Sequence, residues 1–280
     1  MSSLVHTIRS AGEPFGLNLV AAVPAHRYDA VVTQPYRAAA LDAKAKSIVV
    51  IANGGGALWL GLRRHAEHHP GWWERENPLD DFTRTIVEKE IEPVIRQSRC
   101  RYTMVFPFMS GATTLNFIEL GKVAGLGGSS ILGVVVHPKF GPWIAFRAAI
   151  LVDELIDAPG EAASFDPCPS CTQRSCIAAC PTAAVAFPSG WDIPRCLAYR
   201  IESEPDCTPR CHARVACVLG PQYRYPEDEL AYHQRRALAA MRPWYEKNLK
   251  PPGHPDTELA HTTSKPRVVR ARWSRNLSAT

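Results

Sequence analysis

Eight of the nine cysteines in this 280-residue chain lie between Cys168 and Cys217. They fall at Cys168, Cys171, Cys176 and Cys180, with Pro181 directly after, and then at Cys196, Cys207, Cys211 and Cys217. Thiolates are soft ligands, and thiols two to four residues apart on a tight loop can converge on a thiophilic metal or an iron-sulfur cluster. Two other chemistries use the same residues: structural zinc accepts similar spacings, and an oxidising compartment would pair them as disulfides. No apolar export segment opens the sequence, so reduced thiols and a cytoplasmic setting are expected. Eight thiols suffice for two 4Fe-4S clusters, which favours two over one.

The run resembles that of bacterial-type ferredoxins, Cys-x2-Cys-x2-Cys-x3-Cys-Pro, in which the fourth cysteine ligates the other of two clusters. Two additional residues precede the third cysteine here, whereas Cys180-Pro181-Thr182-Ala183-Ala184 keeps the family ending. Three residues separate Cys207 from Cys211 and five more precede Cys217, so the last group is irregular. The resemblance implies one cluster on Cys168, Cys171, Cys176 and Cys217, and another on Cys180, Cys196, Cys207 and Cys211.

The elements that must position these thiols are legible around them. Residues 17–23 and 46–52 are short runs of branched apolar residues and read as strands. Asn53-Gly54-Gly55-Gly56 then turns into a helix through Leu58, Leu62 and His65. Bare backbone at Gly54 and Gly55 lets a phosphate or a planar cofactor approach, although such a turn more often serves only to join strand to helix. Asp80 and Asp81 suit the start of a helix running to about Gln97, with Pro93 bending it or ending it early. A strand over 101–108 and a helix over 114–124 follow, the helix closed by Gly125, Gly127 and Gly128. Residues 131–136 and 143–152 read as two strands joined by a turn at His137 to Pro142. Arg147 interrupts the second of these, and its spacing fits equally a side chain facing solvent and one projecting into a cavity to hold an anion. Pro226 and the acids after it begin a helix to about Asn248.

An apolar fraction of 46% and a charged fraction of 21% are those of a globular protein. The net charge of +5 owes part of its excess to Lys265, Arg267, Arg270, Arg272 and Arg275 in a tail expected to be solvated and disordered. No run of 18 apolar residues is present, so no membrane partner is expected. Ser110 lacks the Gly-x-Ser-x-Gly elbow of a hydrolase, and His65, His68 and His69 read as a polar helix face.

Residues 131–152, with His137-Pro138-Lys139-Phe140-Gly141-Pro142-Trp143 and Arg147 at their centre, resemble the cobalamin-processing proteins of the CblC type. Pro14-Phe15-Gly16-Leu17, Arg224-Tyr225-Pro226-Glu227 and Ala231-Tyr232 look like the same family. The cysteine segment instead resembles the iron-sulfur part of epoxyqueuosine reductases, through Cys180-Pro181-Thr182, the order of eight cysteines, and Arg195-Cys196-Leu197-Ala198-Tyr199. Ala124-Gly125-Leu126-Gly127 is similar to a motif of those enzymes, but Gly128 and Ile131 replace its Trp and Lys, and Phe106-Pro107-Phe108 stands where their acidic Asp would.

Both resemblances imply an α+β fold, a nitroreductase-like sandwich with a ferredoxin-like cysteine-rich module. The division expected is residues 1–160 for corrinoid binding, 161–222 for the iron-sulfur module, 223–250 for a helix packed on the first domain, and 251–280 for the tail. The implied cofactors are cobalamin and two 4Fe-4S clusters, with Gly54, Gly55, Phe108, Gly127, His137, Phe140, Trp143 and Arg147 at the corrinoid. The implied activity is reduction of cobalamin or removal of its upper axial ligand, fed by an external donor such as ferredoxin or flavodoxin. Nucleic acid is not expected as a partner. An epoxyqueuosine reductase-like enzyme and a non-catalytic iron-sulfur or zinc carrier are the alternatives.

Overall fold

Strand β2, Ser47–Gly54, is buried along its whole length, which explains why its sequence is a continuous apolar run instead of an alternating one. The computed structural model of the protein describes residues 3–109, 113–156, 165–203 and 205–249. Around β2 lie β1 (Leu19–Pro24), β3 (Tyr102–Val105) and β4 (Ile144–Val152), in the order β1-β2-β4-β3, with every neighbouring pair antiparallel. Val49, Ile51, Ala148 and Ile150 turn to one face, under the helices Ser3–Gly12, Ala57–Glu67 and Pro78–Ile86. Ile48, Val50, Ala149 and Leu151 turn to the other, against Tyr28, Leu115, Phe117 and Leu120. With both faces covered, the sheet is the middle layer of an α+β sandwich.

β2 and β4 step out of register once: Ile51 pairs with Ala148, but Ala52 pairs with Phe146. Arg147 is the unpaired residue of that bulge. Bulges re-aim side chains, and this one sends Arg147 inward, leaving it 6% exposed. The solvent-facing alternative for Arg147 is therefore not the one the fold adopts.

Several elements differ from the sequence reading. Residues 131–136 form no strand, only an isolated bridge from Val136 to Gly128. Ser130 Oγ donates to the Val134 carbonyl and accepts from the Leu132 amide, which folds the segment into a turn, and Ile131 and Leu132 are spent beneath the cysteines. The helix over Asp80 and Asp81 begins earlier, at Pro78 after Asn77, with the two acids in its first turn. Pro93 does not end that helix: a π turn at Val87–Ile91 precedes it, and it stands in the first turn of the α-helix Glu92–Gln97. A wider turn accommodates the hydrogen bond that proline cannot donate. The helix foreseen over 114–124 is Phe117–Val123, capped by the Asn116 side chain accepting from the Glu119 amide. The expected tail, residues 251–280, and the junction at residues 157–164 lie outside the described residues.

The cysteine segment is held to the sandwich by backbone against backbone. Gly141, at φ 60, closes the His137–Gly141 turn, and a Cβ there would lie 2.0 Å from the Leu219 carbonyl oxygen. Gly190, in the hairpin of β5 (Val185–Ala186) and β6 (Gly190–Trp191), has a similar φ of 80 but open space around it. Alanine at Gly190 is expected to cost only the left-handed backbone term, about 1–2 kcal/mol. Gly141→Ala should cost visibly more, because the Leu219 loop must also move, and limited proteolysis should then release the cysteine segment. Equal melting temperatures for the two variants would show that this contact does not hold the segment.

Candidate functional site

The eight clustered cysteines sit on short elements whose ends are fixed locally. The Cys171 amide donates to the Cys168 carbonyl, the one-turn helix Ser175–Ala178 carries Cys176, and the Cys180 amide closes that turn on Ile177. Cys196 rides on the helix Ile193–Ala198, whose Asp192 cap accepts from the Arg195 amide at 3.0 Å. Cys211 immediately precedes the helix His212–Val215. All nine cysteines are free, and the ninth, Cys100, is buried elsewhere beside Ser98.

The fold separates the eight into two groups. Cys168, Cys171, Cys176 and Cys217 border one cavity of about 290 Å³. Cys180, Cys196, Cys207 and Cys211 border a second of about 350 Å³. Cys180 thus leaves the loop that carries the first three cysteines and faces the other cavity, while Cys217 returns to the first. Burial, reinforced by neighbouring thiols, raises the thiol pKa of Cys176, Cys196 and Cys217, and that of Cys207 to about 11. These four thiols hold their protons more tightly than a free cysteine does, and a bound cation would displace them.

The larger cavity continues past the thiols to Leu132 and Val134, to Ile144 and Ala145 of β4, and to Tyr225, His233 and Met241. The last two belong to the helix Glu227–Asn248. That helix is anchored on both sides of the cavity. At its start Asp228 accepts from Trp59 Nε1 at 2.9 Å, and further along the Gln234 carbonyl accepts from buried Arg200 at 2.8 Å and Tyr245 meets Glu202.

Behind this wall lies a set of buried polar groups that includes Arg147 and Trp143, named from the sequence, and Glu229 and His233, which the sequence reading missed. Arg147 Nε donates to Asn53 Oδ1 at 2.7 Å, and Asp80 stands 4.0 Å from Nη1. Arg147 Nη2, Trp143 Nε1, the Tyr225 hydroxyl, Glu229 Oε2 and His233 Nε2 have no hydrogen-bond partner among the described residues. Glu229 is 1% exposed, and its Oε1 lies 3.6 Å from His233 Nε2, too far for a formed hydrogen bond. Burial drives the Glu229 pKa up to about 8 against the opposing pull of Arg147 and Arg214. Burial, aided by the same two arginines, drives His233 down to about 3. The only sequence signal was helical spacing, Glu229 and His233 being four residues apart and so on one face.

Of the residues that resemblance assigned to a corrinoid, Gly54, Gly55, Phe108, Gly127, His137, Phe140, Trp143 and Arg147, none borders either cavity. Most are spent on packing. The Phe140 ring occupies the space beside the bare Cα of Gly54 and meets Tyr223 at 4.7 Å between ring centres. Gly55 donates to the Trp143 carbonyl, and fully buried Trp143 packs edge-on against Tyr225. His137 Nδ1 accepts from the amides of Lys139 and Phe140 and so shapes its own turn. Gly127 lies against the Val136 carbonyl, and Phe108 stacks on Phe106 beneath Arg84. His65 stacks on His69 and packs against Trp72, while His68 and His69 stay exposed.

No family model and no curated protein sequence matches the chain. Solved structures do. The epoxyqueuosine reductase from Bacillus subtilis aligns at a TM-score of 0.52 and 17% identity, over 80% of this chain and 68% of its own. The C. elegans B12-trafficking protein CblC aligns at 0.55 and 12% identity, over 89% and 98%. A catabolic reductive dehalogenase aligns at 0.50 and 14% identity, over 86% of this chain and 35% of its own. The likeness is one of fold, and it is the α+β fold that the sequence resemblance implied. Among the described residues no helix is long and apolar enough to cross a membrane.

The Glu229 and His233 pair sets an expectation for stability against pH. Glu229 binds its proton more tightly folded than unfolded, so its contribution is complete below about pH 4.5 and is lost as pH rises to about 8. His233 binds its proton less tightly folded, so its contribution is lost as pH falls from about 6.5 to about 3. The two oppose each other in between. The pair should therefore produce a loss of stability from about pH 6.5 to 8 that Glu229→Gln removes, read from urea midpoints across that range. A wild-type curve that is flat or rising there would contradict the assignment.

Proposed function

We propose that this chain is an iron-sulfur oxidoreductase that binds cobalamin and reduces it or removes its upper axial ligand. One observation carries the reading: the cavity bordered by Cys180, Cys196, Cys207 and Cys211 is also bordered by β4 of the sandwich and by the helix Glu227–Asn248. An electron arriving at those thiols arrives at the wall of a chamber. The likeness of fold to a B12-trafficking protein and to an epoxyqueuosine reductase supports a corrinoid or a modified tRNA base as the class of substrate.

The donor set fits the clusters. Four thiols are the ligand complement of a 4Fe-4S cluster, and each cavity has four. Zinc needs its four thiolates drawn to about 2.3 Å from a single point. Thiols standing around a cavity suit the larger, multi-atom group. For a corrinoid the fit is partial: Leu132, Val134, Ile144 and Met241 offer an apolar wall to a flat macrocycle, but about 350 Å³ encloses only part of one.

Bound cobalamin would supply a redox-active metal whose axial ligation weakens on reduction, and the protein's part is placement and polarity. The residues Cys168, Cys171, Cys176 and Cys217 would carry the entry centre, filled by an external donor of the ferredoxin or flavodoxin kind, and Cys180, Cys196, Cys207 and Cys211 the exit centre. Arg200 lies on the cavity wall beside the exit thiols and favours the thiolate form of Cys196 and Cys207. The expected setting is the cytoplasm, where thiols stay reduced.

The test is a visible-light titration of the anaerobically prepared chain with hydroxocobalamin, before and after dithionite. A saturable shift toward the base-off spectrum is expected, with reduction at least about tenfold slower in a Cys168→Ala/Cys180→Ala variant, because losing a ligand from each set breaks the path. No shift at any concentration would remove the corrinoid reading. Iron content discriminates the carrier alternative: Cys196→Ala should lower it from about eight to about four per chain, whereas zinc in the wild type would overturn the cluster assignment. Unchanged queuosine in the tRNA of a deletion strain would set aside the tRNA reading.

A further inference from the structure

Five of the eight buried polar side-chain atoms without partners among the described residues lie in one neighbourhood, Arg9 Nε, His65 Nε2 and Arg200 Nε being the others. Trp143 and Tyr225 meet at 5.4 Å between ring centres, Tyr225 and His233 at 5.6 Å, and His233 faces Glu229 one helical turn away. The guanidinium of Arg214 lies 5.2 Å over the Tyr225 ring. Buried polar groups are nearly always paired, so a cluster of unpaired ones marks a place where something is bound or moved. Two members, Tyr225 and His233, are also on the wall of the cavity that Cys180, Cys196, Cys207 and Cys211 border. The cluster therefore spans the space between a carboxyl sealed from solvent and the chamber where electrons would arrive.

We infer that Glu229 and His233 form a proton relay that delivers one proton into this cavity for each electron taken up there. The inference rests on the proposed function for the source of the electron, a low-potential one-electron donor acting through the thiolate-bound centres. The Glu229 carboxyl passes its proton to His233 Nε2, and the imidazole releases the proton of its other nitrogen toward the cavity. The acceptor is the anionic ligand set free when the bound substrate takes up the electron. The bond from that ligand to the metal breaks, and the ligand leaves as its neutral acid. Glu229 is left as a carboxylate and His233 with its proton on Nε2; return of that proton to Glu229, with uptake of another at the cavity-side nitrogen from water in the cavity, restores both groups.

The surroundings suit both states of the pair. Arg147 from β4 and Arg214 from the helix His212–Val215 are the cations acting on Glu229, and Asp228 on its own helix is the opposing anion. Asp80 stands on the far side of Arg147. With its proton, Glu229 is neutral and tolerates burial; without it, the carboxylate is left beside two arginines. Glu229 has no direct contact with bulk water, so its proton leaves and returns by way of His233 and the cavity. The raised pKa of Glu229 agrees with a carboxyl that is loaded at neutral pH.

Infrared spectroscopy of the full chain reads this directly. In the oxidised protein at neutral pH a protonated-carboxyl band is expected, titrating away near pH 8 and missing from Glu229→Gln but retained in the surface control Glu246→Gln. On reduction with dithionite in the presence of hydroxocobalamin the band should bleach. His233→Gln should keep the band but lose the bleach, and should slow ligand release at least about tenfold. An ionised Glu229 at neutral pH in the wild type would overturn the inference even if every variant failed to fold. Reducible centres with an unchanged band would overturn the relay and leave the proposed function standing. No reducible centre at all would overturn both.

Discussion

A guanidinium taken out of water must find its charge answered nearby, and the burial of Arg147 governs much of this molecule. The bulge between β2 and β4 turns it inward. Asn53 at the end of β2 takes one hydrogen bond, Asp80 at the start of its helix comes within 4.0 Å, and Glu229 closes the far side from the last long helix. Three segments distant in sequence are thereby drawn to one point of the sheet. The balance is incomplete, since one guanidinium nitrogen and one Glu229 oxygen go unmatched. Charge compensation alone would have favoured a simple ion pair; what forms instead is an unfinished network beside a cavity.

The layers of the sandwich were legible because they depend on bulk apolarity. Strand β2 and the end of β4 are covered on both faces, so their residues announce themselves without regard to period. The cysteine grouping implied by the ferredoxin-like order also matches the way the eight thiols divide between the two cavities. What escaped was set by geometry that spacing does not encode. A single extra residue at Arg147 reverses the side a strand presents, so alternation gave two equal readings there. Residues 131–136 have the composition of a strand, but their apolar side chains are used on the cysteine segment, and no neighbouring strand was left to pair with them. The π turn before Pro93 likewise depends on how the helix accommodates one missing donor.

The motif around His137 illustrates how resemblance and geometry can part. In this chain Phe140, Gly141 and Trp143 pack against Gly54, the Leu219 loop and Tyr225, so their visible task is to seat one part of the molecule on another. The residues that do face the larger cavity, such as Ile144, Ala145 and His233, lie beside these motifs or far from them. Charged and polar side chains of the helix Glu227–Asn248 carry little apolar signal, and its buried residues, Glu229, Leu230 and Tyr245, are too few to advertise a face. The functional wall of the cavity was therefore the part of the site least visible beforehand.

The alternation of the cysteines between cavities has a consequence for assembly. Roughly forty residues separate Cys176 from Cys217, which share a cavity, and the four thiols of the other cavity all fall within that span. One ring of chain is thus nested inside another. Whatever occupies the inner set shortens the free chain that the outer set must close, and closing a shorter loop costs less entropy. The inner cavity is the natural first to fill and the outer one the natural last. A cut between Cys176 and Cys180, or between Cys211 and Cys217, opens the outer ring and leaves the inner one whole, whereas a cut within the inner ring opens both, so the outer set depends on the inner and not the reverse.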